Sequence, residues 1–86
     1  MGKQLEAIKL AIKDELLGKF RAMRANAGDI LPSSWLHDDY LPSLSTKEEK
    51  AFEEIINEML AEGLIEYIGG PKPTYRLTEK GKNILC

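Results

Sequence analysis

The chain has 86 residues, 43% of them hydrophobic and 30% charged, with a formal net charge of -2. A chain this short makes one domain, residues 1–86, with a small core and too little mass to wall a buried catalytic cleft. The composition excludes a disordered polyelectrolyte, and no apolar run nears the ~20 residues of a membrane span, so a cytoplasmic domain with no membrane partner is expected.

The first residues, MGKQLEAIK, are charged and amphipathic, unlike a signal peptide. From about Lys3 to Arg24, Leu5, Ile8, Ile12, Leu16, Phe20 and Met23 recur every three or four residues, which predicts a helix with those side chains in the core. Leu10 and Leu17 lie one heptad apart on roughly the opposite side and make a second apolar stripe. Another part of the chain covers that stripe, or a second subunit does. Asn26 to Asp29, with Gly28 among them, stops the helix, since Gly and Asn tolerate the positive φ of a C-terminal cap. Ile30 and Leu31 then read as a two-residue strand before Pro32.

Ser33 and Ser34 offer N-cap hydroxyls for a short second helix through Trp35, Leu36 and Tyr40, ended near Pro42. The start of a third helix is marked twice, by Ser45 with Glu48 and by Thr46 with Glu49, each a hydroxyl followed three residues later by a carboxylate. Phe52, Ile55, Ile56, Met59 and Leu60 supply its apolar face, and Gly63 with Leu64 fits a Schellman end. The period then changes to two. Ile65 and Tyr67 point one way and Glu66 the other; beyond the turn at Gly69 to Pro73, Tyr75 and Leu77 alternate with Arg76. That is a hairpin, which the Ile30-Leu31 piece can extend to three strands. Thr78 caps a last helix, EKGKNIL, whose Ile84 and Leu85 return to the core. The single cysteine, Cys86, ends the chain and reads as a thiol without a partner.

The order helix, short strand, helix, helix, hairpin, helix is that of an α+β domain. Its second half, LAEGLIEYIGGPKPTYRLTEKGKNIL, resembles the end of a winged helix-turn-helix domain of bacterial transcriptional regulators, through Gly63, Leu64, Tyr75, Leu77 and Gly81. The resemblance covers Thr46 to Leu85 well and the first half by element order alone. It implies a three-helix core, a small antiparallel sheet with a wing hairpin, and a short C-terminal helix. It also implies a protein that binds double-stranded DNA in transcriptional control, with the third helix, about Thr46 to Glu62, in the major groove and the wing on the backbone.

Charge tests that implication, because Lys and Arg neutralising phosphates supply much of the affinity for DNA. At ~100° per residue, Phe52, Ile56 and Met59 face inward and Lys47, Lys50, Glu54, Asn57, Glu58 and Ala61 face out. Lys47, Lys50 and Asn57 are the candidate groove residues, and Lys72 at the hairpin tip the candidate phosphate contact. Glu54 and Glu58 share the outward face, where a phosphate would meet more negative than positive charge. Both ends of the chain are basic, through Lys3, Lys9, Lys13, Lys19, Arg21 and Arg24 on one side and Lys72, Arg76, Lys80 and Lys82 on the other, while the middle is acidic. The alternative function is therefore a protein-interaction or assembly module with Glu54 and Glu58 on its docking face, and Leu10 and Leu17 are the candidate surface of a homodimer.

Plainer readings stand beside these. Lys47 and Lys50 also suit solvated helix positions paired with neighbouring glutamates, and a lysine such as Lys72 belongs at any exposed tip. Consecutive His37, Asp38 and Asp39 diverge around a helix and cannot all meet one metal, and His37 has no serine or cysteine partner in a recognisable motif. Trp35, Tyr40, Tyr67 and Tyr75 follow the burial pattern and read as core or core-edge residues. No catalytic residue, cofactor or metal is expected.

Overall fold

Helix α1 spans Gly2–Ala22. Its inward stripe is as the periodicity requires: Ile12, Leu16 and Phe20 are buried, with Leu5 and Ile8 packed more loosely at the same face. Each fully buried side chain of this size contributes about 1.5–3 kcal/mol. The structure, a computed structural model, describes residues 2–85; the reading of Cys86 lies outside them.

The end of α1 differs from the expectation at Asn26 to Asp29. The chain leaves the helix earlier, at Arg24, which takes φ 54. Arg24 N–H donates to the Arg21 carbonyl at 3.0 Å and Ala25 N–H to the Phe20 carbonyl at 3.0 Å, the paired bonds of a Schellman motif with arginine where glycine is usual. Gly28, at φ 97, serves the next turn instead. This early exit leaves Met23, expected in the core, partly exposed at the helix end.

Residues 28–31 run alongside the hairpin. Gly28 N–H donates to the Leu77 carbonyl at 2.8 Å, Leu77 N–H to the Asp29 carbonyl at 2.8 Å, and Leu31 N–H to the Tyr75 carbonyl at 2.9 Å. The expected third strand thus reduces to one antiparallel bridge, Ile30 with Arg76. Pro32 follows at once and has no N–H to extend it.

Ser33 and Ser34 are not caps. Ser34 is itself helical and makes no side-chain cap bond; the turn begins one step earlier, with Leu36 N–H on the Pro32 carbonyl at 3.0 Å. The segment Trp35–Tyr40 is wound as a π-helix and passes into a 3-10 turn, Leu41–Ser43. An α-helical path would drive the Pro42 ring against the Asp38 carbonyl, and the wider turn avoids it. Trp35 stacks on Tyr40 at 5.0 Å between ring centroids, and Tyr40 meets Phe52 at 6.2 Å.

Helix α2 spans Thr46–Ala61. Of the two possible capping boxes, Ser45 with Glu48 forms: Glu48 N–H donates to Ser45 Oγ at 3.2 Å and Ser45 N–H to Glu48 Oε1 at 2.9 Å. Ala51, Phe52, Ile55, Ile56 and Met59 are buried. The Schellman end is as read, with Gly63 at φ 76 and Leu64 N–H on the Met59 carbonyl at 3.0 Å.

Strands β1, Ile65–Ile68, and β2, Thr74–Leu77, pair antiparallel with Ile65 opposite Leu77 and Tyr67 opposite Tyr75. Tyr67 and Tyr75 meet edge to face at 6.0 Å, yet Tyr67 is exposed rather than at the core edge, on the open side of the hairpin. Thr78 caps helix α3, Glu79–Leu85: its Oγ1 accepts Gly81 N–H at 3.0 Å and donates to the Leu64 carbonyl at 2.9 Å. Leu85 packs against the core, while Ile84, expected there, is exposed on the outer side of this short helix. The architecture is α+β, with Phe20, Ile12, Leu16, Leu31, Leu36, Met59 and Leu77 at the centre of one core.

Tyr40 couples that core to pH. Its O–H donates to Glu15 Oε1 at 3.1 Å; burial first, and then the Glu15 charge, hold the hydroxyl well above the usual tyrosine range. The folded state keeps a proton that the unfolded chain releases above about pH 10, so this stability is complete below that pH and is lost as the pH climbs toward the folded value. Thermal unfolding followed by circular dichroism from about pH 8 upward should show the melting temperature falling beyond pH 10, and falling less in Tyr40→Phe. An equal fall in the variant would place the effect on other groups, Tyr75 among them, whose hydroxyl burial also pushes up.

Candidate nucleic-acid interface

The outward stripe of α2 is largely the one expected: Lys47, Lys50, Asn57, Glu58 and Ala61 are exposed and Glu54 is half-buried. Helix α1 packs along one flank of α2 and the hairpin lies along the other, so the exposed ridge runs through Lys50, Glu53, Asn57 and Ala61. Glu58 is exposed as expected and also pairs with Lys9 of α1, which stands 3.6 Å from Glu6. Lys9 is nearly buried although charged, which only paired carboxylates make tolerable. Its hydrogen bond to Glu58 holds the ammonium above the usual lysine range against the opposing effect of burial, and the charges of Glu58, Glu6 and Glu54 add to it. Glu54 is half-buried on this side, with Oε2 out of solvent and without a hydrogen-bond partner among the described residues.

The two glutamates that most opposed a phosphate are thereby drawn toward a cation of α1. Lys9→Met should lower the melting temperature, and should weaken binding of any polyanion at α2 because Glu54 and Glu58 lose the ammonium beside them. Paired melts and duplex titrations check this; an unchanged melting temperature would mean the pair adds nothing to the fold.

Lys47 and Lys50 are exposed and line a shallow cleft of about 240 Å³ with Gln4, Leu5 and Ile8 of α1. Neither forms a salt bridge among the described residues. They stand in the first two turns of α2, where the capping box fixes the helix start. Asn57 is exposed further along the same ridge, at the edge of a groove shared with Phe52, Glu53, Ile56 and Tyr75. The structure therefore brings Lys47 and Lys50 together and sets Asn57 about two turns away.

Lys72 is not a free tip residue. Its Nζ reaches Asp38 Oδ2 at 3.0 Å, and the carbonyl of the adjacent Pro73 accepts a hydrogen bond from His37 Nε2. Because a carbonyl only accepts, this fixes the Nε2–H tautomer of neutral His37. The hairpin tip is thus tied back onto the Trp35–Tyr40 turn, a contact that residues so far apart in sequence do not announce. The Lys72–Asp38 pair is exposed, so the tie contributes about 1 kcal/mol at most. Arg76 is likewise engaged, with Nε 3.2 Å from Glu66 Oε1.

Leu10 is exposed, but Leu17, expected to share its stripe, is buried in the core cluster. The chain itself covers that end of the stripe, and a pairing surface on α1 would rest on Leu10. Among the described residues no helix is long and apolar enough to cross a membrane. No protein-family model, curated protein or solved structure matches this chain.

Proposed function

We propose that this domain is a winged helix-turn-helix and a non-catalytic reader of double-stranded DNA in transcriptional control, with the first turns of α2 at the major groove. The observation that carries the reading is the pair Lys47 and Lys50, exposed and without a carboxylate partner among the described residues at the capped end of α2, while Glu58 pairs with Lys9. The element order supports it, as does the Ile30 bridge to Arg76, which ties the segment before the Trp35–Tyr40 turn to the hairpin as a winged helix requires. Affinity for mixed-sequence duplex, followed by fluorescence anisotropy at two salt concentrations, should fall steeply with salt; absence of binding at low salt would sink the proposal. Light scattering on the same samples tests a homodimer through Leu10, which Leu10→Lys should reduce to a monomer.

A second reading, a protein-interaction module, is favoured by the groove between α2 and the hairpin. There Glu49 and Glu53 stand beside Leu41, Phe52 and Tyr75, and neither carboxylate has a salt-bridge partner among the described residues. Such a groove suits a cationic segment. In this reading Glu49 and Glu53 join the Glu54 and Glu58 expected from the sequence as the acidic surface, Glu58 being exposed although paired to Lys9. Binding of a partner that survives Glu49→Lys and Glu53→Lys would count against it.

A further inference from the structure

Three cations meet at the end of the molecule away from Lys47 and Lys50. Arg21 lies in the last turn of α1, Arg24 at its left-handed cap, and Lys82 on α3; with Ala25, Asn26 and Leu85 they line one cleft of about 340 Å³. α2 is 16 residues long, or ~24 Å, and α3 is tied by Thr78 to the Leu64 carbonyl just past its far end, so this cleft is remote from the start of α2.

None of the three cations forms a salt bridge among the described residues. Lys82 Nζ donates to Asn26 Oδ1, a neutral acceptor that positions the ammonium without cancelling it. Asp29, the carboxylate nearest in sequence to Asn26, has its Oδ2 engaged by the Asn26 backbone N–H at 2.8 Å. Glu79 lies one turn before Lys82 on α3 and is exposed. Ala25 is buried and Leu85 half-buried, so the floor is apolar, which strengthens an ionic contact made above it. Arg24 also holds φ 54, where glycine would sit without strain, so an arginine there carries some backbone cost.

We propose that this cleft is a binding site for a small, multiply charged phosphate ligand. Two guanidinium groups offer planar forks that match phosphate oxygens two at a time, and the Lys82 ammonium adds a point charge; a singly charged anion would leave that set unsatisfied. The site does not depend on the duplex reading, because it lies on different residues.

The test is calorimetric titration of the full chain with pyrophosphate, with sodium chloride at matched ionic strength as the control, in wild type, Arg24→Gly and Lys82→Gln. Pyrophosphate should bind wild type, and each variant should bind about tenfold more weakly, the loss expected for one charge-assisted contact. Arg24→Gly separates binding from folding: glycine suits the left-handed cap, so its melting temperature should hold or rise while pyrophosphate affinity falls. No pyrophosphate binding beyond the chloride control, or equal affinity in wild type and both variants, would overturn the proposal. So would an Arg24→Gly protein that keeps pyrophosphate and loses duplex DNA instead, since the cluster would then be a nucleic-acid backbone contact.

Discussion

Gly81→Ala is expected to lower the unfolding free energy by about 3 kcal/mol, at the upper end of the cost of overpacking, and the melting temperature by roughly 15 °C for a domain of this size. Gly81 is buried in α3 at a place where backbone meets backbone. A Cβ there would overlap the Leu64 carbonyl oxygen and lie 2.8 Å from Leu77 Cδ1. The helix cannot retreat, because Thr78 ties its start to the same carbonyl while donating and accepting through one hydroxyl. In a helix an alanine is otherwise preferred to glycine by about 1 kcal/mol, so the direction of the effect separates close approach from propensity. Urea unfolding read by tryptophan fluorescence measures it. A variant as stable as wild type would mean that α3 packs elsewhere than on Leu64.

The double substitution Lys47→Glu with Lys50→Glu carries the largest functional effect. If the start of α2 meets a duplex, affinity at low salt should fall at least about tenfold, and the slope of log affinity against log salt should shrink by roughly two, about one for each lost phosphate contact. Both side chains are exposed, so the variant should melt close to wild type, which separates lost binding from lost fold. Lys72→Ala should change duplex affinity less than either, since its ammonium is already engaged by Asp38. Unchanged affinity in the double variant would remove α2 from the groove and turn attention to Glu49 and Glu53.

How far the sequence can be read is clear from α2. Its start, its buried face and its Schellman end follow from Ser45, Glu48, the spacing of Phe52 to Met59, and Gly63, because caps and periodicity act within a few residues. The candidate site was less open to that reading. Glu54 and Glu58 project outward on an isolated helix, and only the packing of α1 along that flank brings Lys9 to them, half-burying Glu54 while Glu58 stays exposed. A lysine at position 9 among apolar neighbours was the available signal, since a near-buried cation requires a carboxylate from some other element. The basic cleft gave a weaker one, as Arg21, Arg24 and Lys82 are an ordinary scatter of surface charge until α3 folds back on α1.

What the sequence alone determined is the order and kind of the elements: the long amphipathic helix, the capped α2, the hairpin around Gly70 at φ 134, and Thr78 opening α3. Each rests on local backbone preferences and on apolar spacing that any fold of this chain must satisfy. Tertiary structure decided which faces remained free. It buried Leu17, ended α1 at Arg24, bound the hairpin tip to the Trp35–Tyr40 turn, and gathered three cations from the end of α1 and from α3 into one cleft. Those outcomes depend on which element lies beside which, and burial and charge pairing between distant residues exist only once the chain has packed.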